Sequence, residues 1–182
     1  GLKLTPAQLY DINKASIKDA IIIFGNGCTG EIVSNQGLIF TNHHCGYSAI
    51  ATASSVQNNY RKDGFWALTK QQEIPAPDLT IQFILKIEDV TGEVLPQLEG
   101  LDAATRSKKQ AEIIETINSK YTDPSKNIEA RVSALFKGNQ FLVFVYQRYN
   151  DIRLVGTPPE SVGKFGGDTE NWEWPRHTGD FA

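Results

Sequence analysis

Methionine is absent from these 182 residues, cysteine occurs twice and histidine three times. Without a methionine, the sequence is expected to begin downstream of a start codon, which leaves room for a removed targeting segment. No apolar run approaches the roughly 20 residues that a membrane helix needs. The longest, Ala20 to Phe24, is the size of a strand, so no membrane span is expected. Neither sign of charge dominates: 18 basic against 21 acidic residues give a formal net charge of -3. That balance speaks against a polyanion-binding surface and hence against nucleic acid as a partner. Internal repeats and low-complexity tracts are also missing, and what remains is a chain long enough for one ordinary core.

The chemistry concentrates in residues 27–46. Two short apolar strands flank a polar Ser34-Asn35-Gln36-Gly37 turn, which is a hairpin signal. The two cysteines, Cys28 and Cys45, bracket that hairpin and could reach disulfide range; two buried thiols are the alternative. A bridge would close a loop of about 17 residues, stabilise by roughly 3 kcal/mol and point to an oxidising compartment. His44 stands at the expected end of strand 38–41, next to Cys45. A bridge would hold the backbone that aims this imidazole, which suits a general base oriented by a carboxylate. Asp89, Asp102, Asp151, Asp168 and Asp180 are the available partners, and spacing alone does not choose among them. In an extended chain, neighbouring His43 points to the opposite face. A metal site from His43, His44, His177 and a carboxylate lacks the i, i+4 spacing of helical zinc sites, so no metal is expected.

Around this stretch the pattern is mainly β with short helices. Thr5, Pro6 and Gln8 predict a short helix whose Leu9 and Ile12 face inward. Residues 20–24 and 30–33 read as strands about the Gly25-Asn26-Gly27 turn, which makes a β-meander. Residues 46–53 read as a short helix or turn. Residues 54–72 read as ordered loop anchored by Phe65, Trp66 and Leu68. Residues 80–90 predict a half-buried strand. A helix over 102–121, capped by Asp102, presents Ile113, Ile114, Ile117 and Tyr121 on one face and is expected to pack on a barrel. Strands 128–136 and 140–149 pair about Lys137-Gly138-Asn139, and 152–155 adds another strand. Residues 156–182 are rich in glycine, proline and aromatics, which predicts a binding loop without regular structure.

Two long motifs carry a resemblance. Gly27-Cys28-Thr29-Gly30-Glu31, followed by Thr41-Asn42-His43-His44-Cys45-Gly46-Tyr47, is the first. The second runs from Gly166-Gly167-Asp168 through Asn171-Trp172-Glu173-Trp174-Pro175 to Thr178-Gly179-Asp180-Phe181. Together they resemble the bacterial dipeptidyl-peptidases seven and eleven, serine exopeptidases with a trypsin-like double barrel, over essentially the whole chain. The resemblance implies the first antiparallel β-barrel of such a peptidase domain, incomplete, with 102–121 as a helical insertion. It implies His44 as general base, Asp180 as its orienting carboxylate, and Asn171 and Trp172 as a grip on the substrate's free amino terminus. It requires no cofactor, and its partners are an oligopeptide, the remainder of the same peptidase chain and, as often in the family, a second copy. A periplasmic or surface location follows. Family members are several times longer, and no serine here lies in the Gly-Asn-Ser-Gly-type nucleophile turn. The chain is therefore expected to be an amino-terminal fragment, inactive alone. The alternatives are a non-catalytic peptide- or partner-binding barrel and a trypsin-class endoprotease, which the Asn171-Trp172 signature disfavours.

Overall fold

The computed structural model describes residues 1–11, 14–163 and 179–182. In chain order its elements are α1 (Pro6–Leu9), β1 (Ile21–Phe24), β2 (Cys28–Ile32), β3 (Ile39–Thr41), α2 (His43–Ala53), α3 (Tyr60–Asp63), β4 (Phe65–Trp66), β5 (Ile74–Pro75) and β6 (Ile81–Asp89). Then follow α4 (Thr91–Val94), α5 (Ala103–Tyr121), β7 (Ile128–Leu135), β8 (Gln140–Tyr149), β9 (Arg153–Leu154), β10 (Gly156–Thr157) and α6 (Glu160–Gly163). Two compact units divide these elements: Gly1–Ile81 with Tyr149–Ala182, and Gln82–Arg148.

In the first unit β1, β2 and β3 form the expected antiparallel meander, with Ile22 opposite Gly30 and Gly30 opposite Thr41. The turn after β2 closes because the Ser34 hydroxyl accepts from the amides of Gln36 and Leu38, at 3.2 and 3.0 Å. Gly37 takes a φ of +83° there, a conformation glycine adopts without a Cβ penalty. Gly30 is small for a different reason: a Cβ would lie 3.0 Å from the Phe40 carbonyl. The chain returns to this unit through two short antiparallel ladders, β9 on β5 and β10 on β4. Ile22, Phe24, Ile50, Ala76 and Ile81 are buried here.

The second unit orders its strands β6-β8-β7, and β7 and β8 form the long hairpin expected from sequence. Its turn takes Phe136, Lys137 and Gly138 through positive φ, so Phe136 leaves the strand and stands 74 % exposed. Helix α5 starts where the Asp102 carboxylate accepts from the amides of Ala104 and Thr105. Its Ile113 and Ile117 enter a core with Val90, Val94, Leu98, Phe141 and Val143, while Ile114 and Tyr121 pack at its margin. The predicted helical face is thus correct, but it covers the core of this second unit instead of a barrel.

Indeed, no ladder among the described residues closes on itself; the fold is mixed α/β with six antiparallel strands, β3-β2-β1 and β6-β8-β7. Helix α2 directly follows β3, so the meander does not continue into a fourth adjacent strand. Other expectations fall for reasons of burial. Strand β6 forms as predicted, but Ile84, Leu85 and Ile87 are exposed, so it is not half-buried along its length. Trp66 and Leu68 do not anchor their loop, being 60 % and 86 % exposed. Helix α1 has the Thr5–Gln8 capping box, yet it is one turn long and leaves Leu9 exposed; Ile12 lies outside the described residues. Between 156 and 163 the chain does form regular structure, β10 and α6, because backbone pairing to β4 and a Pro159-initiated turn satisfy it. Among the described residues no helix is long and apolar enough to cross a membrane.

Candidate active site

The hairpin delivers its chemistry to the first turn of α2, not to a strand end. Asn42 is the N-cap residue, in extended conformation, and His43, His44 and Cys45 are the first three helical residues. Residues in this first turn have backbone N–H groups with no partner inside the helix. One of these groups, the His44 N–H, donates to Asp180 Oδ1 at 3.0 Å. The Asn42 side chain does not cap its own helix; its Nδ2 donates to Asp180 Oδ2 and to the Asp180 carbonyl, both at 3.2 Å. Asp180 therefore caps α2 from a segment 136 residues away, where a carboxylate is also favoured by the helix dipole.

The same carboxylate meets the His44 ring. His44 Nδ1 lies 2.6 Å from Asp180 Oδ2. The two differ in exposure: the imidazole is 59 % exposed and the carboxylate 8 %. A short contact between a buried carboxylate and Nδ1 fixes that nitrogen as the N–H and leaves Nε2 as the lone-pair acceptor. The segment bearing Asp180 is tied down twice more: Ala182 exchanges two backbone hydrogen bonds with Thr41, at 2.8 and 3.0 Å, and Gly179 N–H donates to the Val162 carbonyl at 2.9 Å.

Cys28 and Cys45 are joined as a disulfide with their Cα atoms 6.1 Å apart. The bridge links β2 to the residue after His44, so the first turn of α2 is held from one side by a covalent bond and from the other by Asp180. The Cys28 and Cys45 sulfurs and the His44 ring lie within 4.8 Å of one another. With the sulfurs bonded to each other, that trio offers no thiolate to a metal.

His43 diverges from His44 as expected, though by helical geometry, with successive residues about 100° apart, and not by strand alternation. It is 1 % exposed, and its Nε2 has no hydrogen-bond partner among the described residues. Burial pushes its pKa below the ordinary imidazole value, against the opposing pull of Asp180 and Glu160. Of the other carboxylates considered, Asp102 caps α5, Asp89 binds Thr91 and Gln140, and Asp151 pairs with Arg153. Asp168, His177, Asn171 and Trp172 lie outside the described residues. Sequence reading missed the part played by Asn42. Its signal is asparagine immediately before a helical run, a preferred N-cap, whereas the sequence pattern points to a helix only from residue 46 onward.

The family model described as peptidase S46 matches residues 1–182. The chain is 46% identical over 183 residues to dipeptidyl-peptidase 7 of Capnocytophaga gingivalis, covering all of this chain and 26% of that protein. It is 43% identical over 188 residues to the Asp/Glu-specific dipeptidyl-peptidase of Porphyromonas gingivalis, with the same coverage. Among solved structures it resembles Porphyromonas endodontalis DPP11 in complex with substrate, at a TM-score of 0.81 and 42% identity, over 100% of this chain and 27% of that one. The same protein has been solved with the dipeptide Arg-Glu, at a TM-score of 0.80. The chain spans about a quarter of the length of the curated relatives it matches.

Proposed function

The chain belongs to the peptidase S46 family, and from that premise we propose that it is the part of a longer serine-type dipeptidyl-peptidase that supplies the general base and its orienting carboxylate. His44 is the base and Asp180 the carboxylate. The observation that carries this reading is the 2.6 Å contact between His44 Nδ1 and the buried Asp180 Oδ2, on an imidazole otherwise open to solvent.

In this reading a serine hydroxyl from the part of the family's length that this chain does not span gives its proton to His44 Nε2 as it attacks the peptide carbonyl. Asp180 keeps the Nδ1–H in place and stabilises the imidazolium that forms. His44 then returns the proton to the leaving amine, and water repeats the cycle to free the acyl product. Asn171 and Trp172 hold the substrate's ammonium group: an amide carbonyl accepts from it and an indole face attracts its charge. Holding that amine at a fixed distance from the serine sets the cut two residues from the end. The reading needs no cofactor. The Cys28–Cys45 disulfide supports a periplasmic or cell-surface location, since such bonds persist in oxidising compartments.

The test is hydrolysis of a dipeptidyl reporter by the full-length protein containing this sequence, with a free or an acetylated amino terminus. The expected result is cleavage of the free form only, lost in His44→Ala, with no turnover by residues 1–182 alone. Equal cleavage of the acetylated reporter would replace the reading with an endoprotease. Peptide binding without cleavage would replace it with a binding module. Turnover by the isolated 182 residues would refute the division of the catalytic residues.

A further inference from the structure

His43 lies at the start of α2, and Gly163 and Tyr47 pack against its ring. Gly163, the last residue of α6, sits directly against its ring: a Cβ at that position would stand 2.5 Å from His43 Cδ2 and 2.6 Å from Cγ. Tyr47, one turn along α2, meets the ring edge-on with centroids 6.2 Å apart. The Arg61 guanidinium lies over the Tyr47 ring, 4.9 Å from its centroid, and binds Glu160 through Nε at 3.2 Å and Nη2 at 3.0 Å. Glu160 opens α6, so both ends of that short helix are tied to α2: one through Arg61 and Tyr47, the other through Gly163 and His43.

Helix α6 in turn supports the carboxylate. The Val162 carbonyl accepts from the Gly179 N–H at 2.9 Å, and Gly179 immediately precedes Asp180. One side chain therefore touches the supports of both members of the pair. A ring locked inward at His43 fixes the rotation of α2, and with it the direction of His44 about 100° further round. The same ring seats Gly163, next to the residue that holds the Asp180 segment.

We propose that His43 is a positioning residue for the His44–Asp180 pair, a buried ring wedged under Gly163 that sets the rotation of α2 and the seat of α6 together. The aromatic body does this, and Nε2, without a partner among the described residues, takes no part. The inference rests on the reading of His44 and Asp180 as base and orienting carboxylate.

The experiment is a double-mutant cycle in the full-length protein: His43→Ala, Gly163→Ala and the pair. Three quantities are followed: kcat and KM for the dipeptidyl reporter, the melting temperature, and the downfield proton resonance of the His44 Nδ1–H. Only three histidines in this chain keep its contribution to that spectral region simple. Each single variant is expected to lower kcat by about 100-fold, the cost of a misplacement near 1 Å. KM should stay within about threefold, because the interaction lost belongs to the transition state. The His44 resonance should move upfield or vanish. In the His43→Ala background the new methyl at 163 occupies vacated space, so the second substitution should cost little or restore activity; such non-additivity marks direct contact.

Single variants that melt earlier yet keep kcat and the resonance would overturn the inference, because His43 would then be ordinary core. Gly163→Ala is the milder change, and an unperturbed resonance in that folded variant alone is sufficient to refute it. If the unmodified protein hydrolyses no peptide but both variants shift the resonance, the positioning role stands and the peptidase reading fails.

Discussion

Replacing Asp180 by asparagine tests the central geometry with almost no change in shape. In the structure one carboxylate serves three donors: the His44 backbone N–H, His44 Nδ1–H and Asn42 Nδ2. An amide retains a single acceptor oxygen. If that oxygen keeps the His44 backbone N–H, the new –NH2 faces Nδ1 and donates to it. The imidazole must then carry its proton on Nε2, the tautomer that cannot accept from a serine. If the amide turns round, its –NH2 opposes the backbone N–H at the start of α2, and the helix loses its cap. The first orientation is favoured because it leaves the backbone donor paired. Enforcing the wrong tautomer in a serine triad lowers kcat by about 10⁴-fold, or about 5.5 kcal/mol of transition-state stabilisation. The accompanying loss of stability should be about 1 kcal/mol, the size of the one hydrogen bond from Asn42 Nδ2 that the amide no longer accepts. Steady-state hydrolysis of a dipeptidyl reporter by the full-length protein, beside a thermal melt, separates the two. Asp180→Asn activity within tenfold of the parent, in a protein melting at the same temperature, would refute the role given to this carboxylate.

Removing the disulfide through Cys28→Ser with Cys45→Ser should cost about 3 kcal/mol from the 17-residue loop it closes, which urea denaturation would measure. Asp102→Ala should destabilise by about 1 kcal/mol through loss of the α5 cap, and circular dichroism during melting would follow it. His43 has a native pKa below its unfolded value of about 6.5 because it is buried. As pH falls below 6.5 the unfolded chain takes up a proton that the native state refuses, so stability declines towards the lowered native pKa. The slope from this group is at most about 1.4 kcal/mol per pH unit, and His43→Gln should flatten it between pH 7.5 and 5.5 in urea titrations.

Local signals in the sequence carried a good deal of this fold. The Thr5–Gln8 capping box, the Ser34–Gly37 turn, the 128–149 hairpin and the helical face of Ile113 and Ile117 all depend on residues a few positions apart, and all are found where those residues stand. Long-range statements were harder. Barrel closure, the exposure of Ile84, Leu85 and Ile87, and the exposure of Trp66 depend on what packs against each surface, and periodicity carries no information about that. The extended reading of His43 and His44 fails because the strand ends at Thr41 and the helix begins at His43, directly after the Asn42 cap.

At the site itself, the sequence alone carried the two motifs that mark the family and drew attention to His44 and the two cysteines. It could not choose Asp180 over Asp89, Asp102, Asp151 or Asp168 by spacing, since a partner 136 residues away is set by the path of the chain. Among the described residues, the tertiary structure sets Asp180 against His44. It occupied Asp89, Asp102 and Asp151 with local caps and ion pairs, and brought Asp180 to the free amides of α2 through the Thr41–Ala182 and Val162–Gly179 hydrogen bonds. It also assigned His43 its place under Gly163, a contact between residues 120 positions apart that only a folded backbone can make.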